Sequence, residues 1–268
     1  MVDIIPQNKI LLGDCVEVLD KQFPVECVDL VVTSPPYDNL RDYKGNTNAF
    51  DHKAVIKSIC RVMKQGGIVV WVVGDAVIDG SETGTSFKHA AAFMDEGMRL
   101  HDTMIYEKNT SSFPARKDGN RYTQIFEYMF VFSKGKPKTS NLICDKKNAW
   151  AGHTNWGEKT DRQKDGTLEV KKDIKPVPEF SPRNNIWRYV VGGGFGQTDD
   201  LAYDHPATFP EQLATDHILS WSNEGDLILD PMCGSGTTCK MAKQLKRNYV
   251  GVEVSKEYVD LSKKRVGK

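Results

Sequence analysis

Leu227-Ile228-Leu229-Asp230-Pro231-Met232-Cys233-Gly234-Ser235-Gly236-Thr237-Thr238 runs from a short apolar segment into a polar turn punctuated by two glycines. Leu227 to Leu229 reads as a buried strand, and Thr237 to Leu245 as the helix that follows. Gly234 and Gly236 permit a tight turn and close approach of a ligand to the backbone. A helix starting at Thr237 presents unpaired amide donors at that turn. Tyr249 to Val252 reads as the next strand. Glu253 lies at its carboxyl end, 17 residues after Gly236, where a carboxylate can accept hydrogen bonds from both hydroxyls of a ribose. The third glycine of a dinucleotide loop is missing, with Cys239 at its position, and no Gly-Lys-Ser/Thr marks a phosphate loop. Asp230 would repel phosphates, but it suits the positively charged amino acid portion of S-adenosylmethionine.

A second segment near the amino terminus has a complementary character. Val28 to Val32 is a compact apolar strand that stops at Thr33-Ser34-Pro35-Pro36-Tyr37. Two prolines lack amide donors and restrict the residues before them, so the chain leaves the sheet there. The result is a rigid polar edge beside an aromatic ring. A nucleobase amino group needs such an edge, because its lone pair is delocalised into the ring and its nitrogen is a poor nucleophile. The Ser34 hydroxyl and the Pro35 carbonyl can accept the two amino hydrogens and favour a more tetrahedral nitrogen. Tyr37 can stack on an extruded base. Direct methyl transfer needs neither a metal nor a covalent intermediate. Cys27 and Cys233 lie in the wrong places to act as nucleophiles for ring-carbon methylation.

Together, Thr33 to Tyr37 and Asp230 to Thr237 resemble the paired signatures of the amino-group DNA methyltransferases, which act on adenine N6 or cytosine N4. The order, with the proline motif first and the glycine turn last, resembles the beta arrangement of that family. The resemblance implies an α/β fold: a permuted seven-stranded methyltransferase sheet with helices on both faces and a small target-recognition insertion. It assigns Ser34, Pro35, Pro36 and Tyr37 to catalysis. It assigns Asp14, Cys15, Thr33, Phe209, Asp230, Met232, Gly234, Gly236, Thr237 and Glu253 to S-adenosylmethionine. His205-Pro206-Ala207-Thr208-Phe209-Pro210 resembles the segment flanking the methionine end, with His205 orienting the loop rather than moving protons. Ser-Pro-Pro-Tyr, His205-Pro206-Ala207 and Phe209-Pro210 look closer to the cytosine-N4 pattern, whereas Asp-Pro-Pro-Tyr is more typical of adenine enzymes. Cytosine N4 is therefore the preferred target and adenine N6 the near alternative. An RNA or small-molecule methyltransferase and a noncatalytic nucleic-acid-binding protein are the other readings.

Outward from these motifs, the elements alternate as expected of a sheet covered on both faces. Strands are expected at Lys9–Leu12, Ile68–Val73, Leu100–Glu107 and Ile125–Phe132. Helices are expected at Val16–Phe23, Asp51–Met63 (ended by Gly66-Gly67), Ser86–Glu96, Glu211–Trp221 and Lys256–Val266. Regular periodicity degrades between Gly135 and Asp200. Residues 1–133 and 201–268 are therefore assigned to the catalytic domain, and 134–200 to the insertion, with Trp150, Trp156, Trp187 and Tyr189 available to help it fold.

The 36 basic and 36 acidic residues of the 268-residue chain cancel, but Lys134 to Arg188 holds 13 Lys/Arg against 7 Asp/Glu, a local excess of +6. Such a surface can meet the phosphates of duplex DNA. Lys171, Lys172 and Arg183 are expected to steer DNA, Asn184 or Asn185 to read base edges, and Asn39, Arg41 and Tyr43 to contact DNA or close over the base. None of the six cysteines forms a Cys-x-x-Cys pair, and free thiols are expected. No apolar run approaches a membrane span, and the first residues lack a secretory signal, which points to the cytoplasm. A cognate restriction endonuclease and a homodimeric state are both compatible with the resemblance.

Overall fold

The computed structural model describes residues 5–36, 50–109, 121–154, 160–170, 175–191, 196–205 and 208–267. The chain forms two compact units, one of Met1–Asn141 with Asn185–Lys268 and the other of Leu142–Asn184.

The larger unit is built on eight strands: β1 (Lys9–Leu12), β2 (Val28–Thr33), β3 (Met63–Val73), β4 (Arg99–Lys108), β5 (Phe126–Ser133), β6 (Ile186–Tyr189), β7 (Leu227–Asp230) and β8 (Asn248–Glu253). Their spatial order is β1-β8-β7-β2-β3-β5-β4-β6. Only β5 runs against its neighbours. All six residues of β2 and all from Ile68 to Val73 are buried, as expected of strands covered on both faces.

Two sets of three helices supply that cover. Helices α1 (Cys15–Gln22), α2 (His52–Val62) and α3 (Thr85–Asp95) pack in sequence, as do α4 (Glu211–Trp221), α5 (Thr237–Gln244) and α6 (Lys256–Gly267). Alternate strand residues divide between the two sets. Val69, Trp71, Val73, Phe130 and Phe132 join Leu19, Ile56, Ile59 and Phe93 of α1 to α3 in the main apolar cluster. Phe93 stacks on Phe132 with ring centroids 4.4 Å apart. Ile10, Cys239, Val259 and Val266 form a separate cluster with α5 and α6.

Three departures from the sequence expectations have clear causes. Helix α2 ends at Val62, well before Gly66-Gly67, which instead lies within β3. Lys134 Nζ donates to the carbonyls of Cys60 and Met63, satisfying the end of the helix without a glycine cap. The sheet gains an eighth strand, because Ile186–Tyr189 pairs in parallel with Ile105–Lys108. Trp187 and Tyr189 are consequently buried in the main sheet, not in the insertion, with Trp187 against His217 and the Tyr189 hydroxyl donating to Asp216 at 2.9 Å.

Among the described residues of Leu142–Asn184, regular structure is confined to two short antiparallel pairs. Thr160–Arg162 pairs with Leu168–Val170, and Lys146–Lys147 with Phe180–Ser181. Among the described residues, no helix is long and apolar enough to cross a membrane.

The close contact between α5 and the sheet depends on Gly251 of β8. A Cβ there would come within 2.8 Å of Cys233 Sγ and Ile10 Cδ1, and within 2.9 Å of Cys239 Sγ. The helix can carry Cys239, where a dinucleotide loop has glycine, because the strand facing it supplies the missing space. Gly251→Ala is expected to destabilise the fold by about 1–3 kcal/mol through overpacking. The check is a lower urea midpoint with an unchanged slope; an unchanged midpoint would show that the helix has room to move.

Candidate active site

Parallel pairing places four strand ends along one edge of the sheet. β7 lies between β2 and β8, and β1 lies on the far side of β8. The chain therefore leaves β2 at Ser34, β7 at Pro231, β8 at Val254 and β1 at Gly13, all at the carboxyl edge where open α/β sheets bind ligands. The two motifs that are about 200 residues apart in sequence are thus neighbours in space.

A buried hydrogen bond joins them: Thr33 Oγ1 donates to Asp230 Oδ1 at 2.7 Å. Thr238 Oγ1 donates to the Val32 carbonyl at 3.0 Å, tying the helix after the glycine turn back to β2. The Met232 amide donates to Asp230 Oδ1 at 3.3 Å. Burial pushes the Asp230 carboxyl up to about 6, despite the opposing hydrogen bonds from Thr33 and Met232. Glu253 Oε2 accepts from the Gly234 amide at 3.0 Å, and its Oε1 from the Ser255 amide at 2.8 Å. Burial also raises Glu253 above the usual carboxylate range.

Gly234 and Gly236 have φ of +49° and +79°, a conformation that side chains strain to adopt. Their open sides face protein. A Cβ at Gly234 would lie 2.8 Å from His205 Nε2, and one at Gly236 would lie 2.8 Å from Ser262 Cβ. The glycines admit these neighbours as well as shaping the turn. His205 is wedged between Gly234 and Tyr258, with its ring centroid 4.4 Å from the tyrosine's, in keeping with a loop-orienting role. The first turn of α5 has no side-chain cap.

The remaining cofactor candidates lie around this centre. Asp14 caps α1, accepting from the Glu17 amide at 3.1 Å. Cys15 is the first residue of that helix; burial, then the Asp14 charge, pushes its thiol up to about 12. The Phe209 carbonyl accepts from Gln197 Nε2 at 2.7 Å. The Thr237 hydroxyl is turned inward to Arg265 at 3.1 Å, which leaves its main chain for a ligand. Ser34 and Pro36 are half-buried and Pro35 is buried. The hydrogen bond to Cys239, then burial, raises the Cys233 thiol, and burial raises that of Cys27. Neither is a ready thiolate.

Tyr37, Asn39, Arg41, Tyr43, Lys171 and Lys172 lie outside the described residues. Arg183 is in the smaller unit and pairs with Asp145, with Nε to Oδ2 at 2.9 Å. Asn185 Nδ2 donates to the Thr103 carbonyl, so its amide is committed to the sheet.

Two carboxylates flank the turn, while the nearby cations Lys240 and Arg265 are paired with Asp199 and Glu211. Such a donor set fits a ribose diol and an amino acid ammonium, and would oppose a phosphate. The permuted sheet and its acid-edged turn define an S-adenosylmethionine-dependent methyltransferase. A family model described as DNA methylase, of the N6/N4 type, matches residues 28–264, and the chain belongs to that family. It is an S-adenosylmethionine-dependent DNA amino-methyltransferase that acts on duplex DNA.

Relatives span nearly the whole chain. The orphan methyltransferase M.BamHII of Bacillus amyloliquefaciens is 51% identical over 255 residues, covering 95% of this chain and 90% of the relative. The type II methyltransferase M.BglII of Bacillus subtilis is 27% identical over 267 residues, covering 95% and 68%. Among solved structures, the PvuII DNA methyltransferase, described as cytosine-N4-specific, aligns with a TM-score of 0.66 at 22% identity, covering 96% of this chain and 85% of that one. The M1.HpyAVI–SAM complex aligns at 0.62 with 20% identity, covering 97% and 99%. Both are likenesses of fold.

With its carboxyl raised by burial, Asp230 is expected to make cofactor binding pH-dependent. Its carboxylate is ionised at pH 7.5 and gains a proton as the pH falls through about 6, which removes the charge that would face an ammonium group. Affinity for S-adenosylmethionine is expected to fall several-fold between pH 7.5 and 5.5, measured by calorimetry. Asp230→Asn should bind weakly with a flatter profile, whereas Glu253→Gln should keep the Asp230 step. A wild-type dissociation constant that does not change across this range would exclude the role.

Proposed function

We propose that the enzyme methylates N4 of cytosine at a specific word in duplex DNA, with the target base extruded from the helix. The observation that carries this reading is the placement of Ser34-Pro35-Pro36 at the end of β2, hydrogen-bonded through Thr33 to Asp230 at the head of the glycine turn. An acceptor edge and a cofactor turn on adjacent strands can hold an amino nitrogen in line with a methyl donor.

When bound, S-adenosylmethionine supplies a methyl group on a positively charged sulfur, a good leaving group that needs no further activation. Asp230, the Gly234–Gly236 turn, the Phe209 segment and Glu253 would hold it. The Ser34 oxygen and the Pro35 carbonyl accept the two amino hydrogens, drawing the nitrogen lone pair out of the ring as the new bond forms. The surplus amino proton then leaves to solvent from that polar edge. Tyr37, next along the chain, is the candidate for stacking on the extruded base.

A serine at position 34, where adenine enzymes more often have aspartate, supports cytosine, as do His205-Pro206-Ala207 and Phe209-Pro210. The basic excess from Lys134 to Arg188 supports DNA recognition by this stretch, with Leu142–Asn184 holding nine Lys/Arg against seven Asp/Glu and the rest of the excess on its flanks. The word "orphan" in the name of M.BamHII supports an enzyme that acts without a cognate nuclease.

Duplex DNA treated with enzyme and cofactor, digested to nucleosides and analysed by mass spectrometry, is expected to contain N4-methylcytosine. N6-methyladenine as the only product would replace cytosine with adenine in the assignment. Ser34→Ala should cut turnover about 10²-fold or more, the scale of losing an oriented acceptor, with cofactor affinity within twofold of wild type. Undiminished turnover would remove Ser34 from the mechanism.

A further inference from the structure

Beneath the glycine turn lies a polar cluster that the reaction itself does not use. Arg265, in the last turn of α6, has a fully buried side chain. Its Nη1 donates to the Ser235 carbonyl and hydroxyl, both at 2.8 Å, and to Thr237 Oγ1 at 3.1 Å. Its Nε lies 3.1 Å from Asp199 Oδ1, and its Nη2 donates to Glu211 Oε1 at 3.0 Å and Gln197 Oε1 at 2.8 Å. Lys240 Nζ donates to Thr198, Asp199 and Glu211 at 2.6–2.9 Å. Two cations and two anions are therefore buried together, with acceptors for every nitrogen.

Burying four charges is a poor way to gain stability, since desolvation consumes most of the attraction between them. What such a cluster provides is fixed geometry, because a guanidinium offers its donors in a rigid planar fork. Gln197 extends the fork. Its Oε1 accepts from Arg265, and its Nε2 donates to the Phe209 carbonyl at 2.7 Å. One continuous path thus runs from the crest of the glycine turn, through Arg265 and Gln197, to the backbone of Phe209.

We infer that Arg265 is a positioning residue for the cofactor site, acting through Gln197 to set the separation between the glycine turn and the Phe209 segment. The inference rests on the assignment of that turn and segment to S-adenosylmethionine. It explains why α6 carries a buried arginine.

The test uses the full chain and measures S-adenosylmethionine binding by calorimetry alongside urea unfolding. Gln197→Ala cuts the path while leaving all four charges paired. It is expected to raise the dissociation constant about tenfold, with the unfolding midpoint near that of wild type. The KM for cofactor should rise in proportion, while kcat at saturating cofactor and the affinity for DNA stay within twofold. The charge-balanced pair Arg265→Met with Asp199→Asn should weaken cofactor binding at least as much, and adding Gln197→Ala to it should cost little more, since both act on one path. Wild-type cofactor affinity in Gln197→Ala would overturn the inference. Glu253→Ala identifies which reading has failed: if it weakens binding while Gln197→Ala does not, the cofactor site stands and the positioning path falls. If Glu253→Ala also binds as wild type, the site assignment fails and takes the inference with it.

Discussion

The hydrogen bond from Thr33 to Asp230 holds together two parts of the chain that have no local reason to meet. Each ends a parallel strand, and parallel neighbours direct their carboxyl ends the same way, so the loops that follow must share one edge of the sheet. The bond is buried, with Thr33 fully covered and Asp230 only 3% exposed. Losing it would leave the Thr33 hydroxyl buried without this partner and the Asp230 carboxylate held by the Met232 amide, which costs more than the bond itself contributes. The register of β2 against β7 and the position of Ser34 beside the glycine turn are therefore coupled. A slip that moved Ser34 would also break the Thr33–Asp230 bond.

The glycine turn is held from three sides by contacts of different kinds. From the strand side, Gly251 gives up its own side chain so that Cys233 and Cys239 can pack against β8. From α6, Ser262 lies where a side chain at Gly236 would be, and Arg265 grips Ser235. From the segment before α4, His205 fills the space beside Gly234. A turn packed this tightly has few alternative conformations. A ligand binding there loses less free energy to ordering the site than it would on a mobile loop.

Much of this could be read in the chain before any coordinates, and the exceptions share a cause. β2, β3, β7 and β8 are near-continuous apolar runs bounded by turn residues, so their existence and order follow from local pattern. The paired motifs carried the site for the same reason: each is a short, contiguous string. Ile186–Tyr189 was not legible, because four residues become a strand only by pairing with β4, some 80 positions earlier. Gly66-Gly67 misled, because a lysine from another strand end took over the capping that a glycine usually provides. Arg265, Lys240, Gln197 and Asp199 carry no shared motif, and their partners lie 28 to 68 residues from Arg265 along the chain. A charged residue in a polar helix reads as solvated until the tertiary structure shows it buried. Asp14 is a cofactor candidate by resemblance alone, and what the structure shows is its capping of α1.

Electrostatics explain why a serine suits the catalytic edge of this enzyme. Burial raises the Asp230 carboxyl, and Glu253 adds a second carboxylate beside the same turn. Below the turn, the positive charges of Lys240 and Arg265 are cancelled by Asp199 and Glu211, so they give the site little relief. An aspartate at position 34 would bring a third carboxylate next to Thr33 and drive Asp230 further toward its neutral form, weakening the charge available to an ammonium group. A hydroxyl accepts a hydrogen bond without that penalty, and it can also donate one, which a carboxylate cannot. The edge proposed to meet the base and the turn proposed to meet the cofactor are therefore linked by charge as well as by the Thr33–Asp230 bond, and a neutral serine keeps the first from undoing the second.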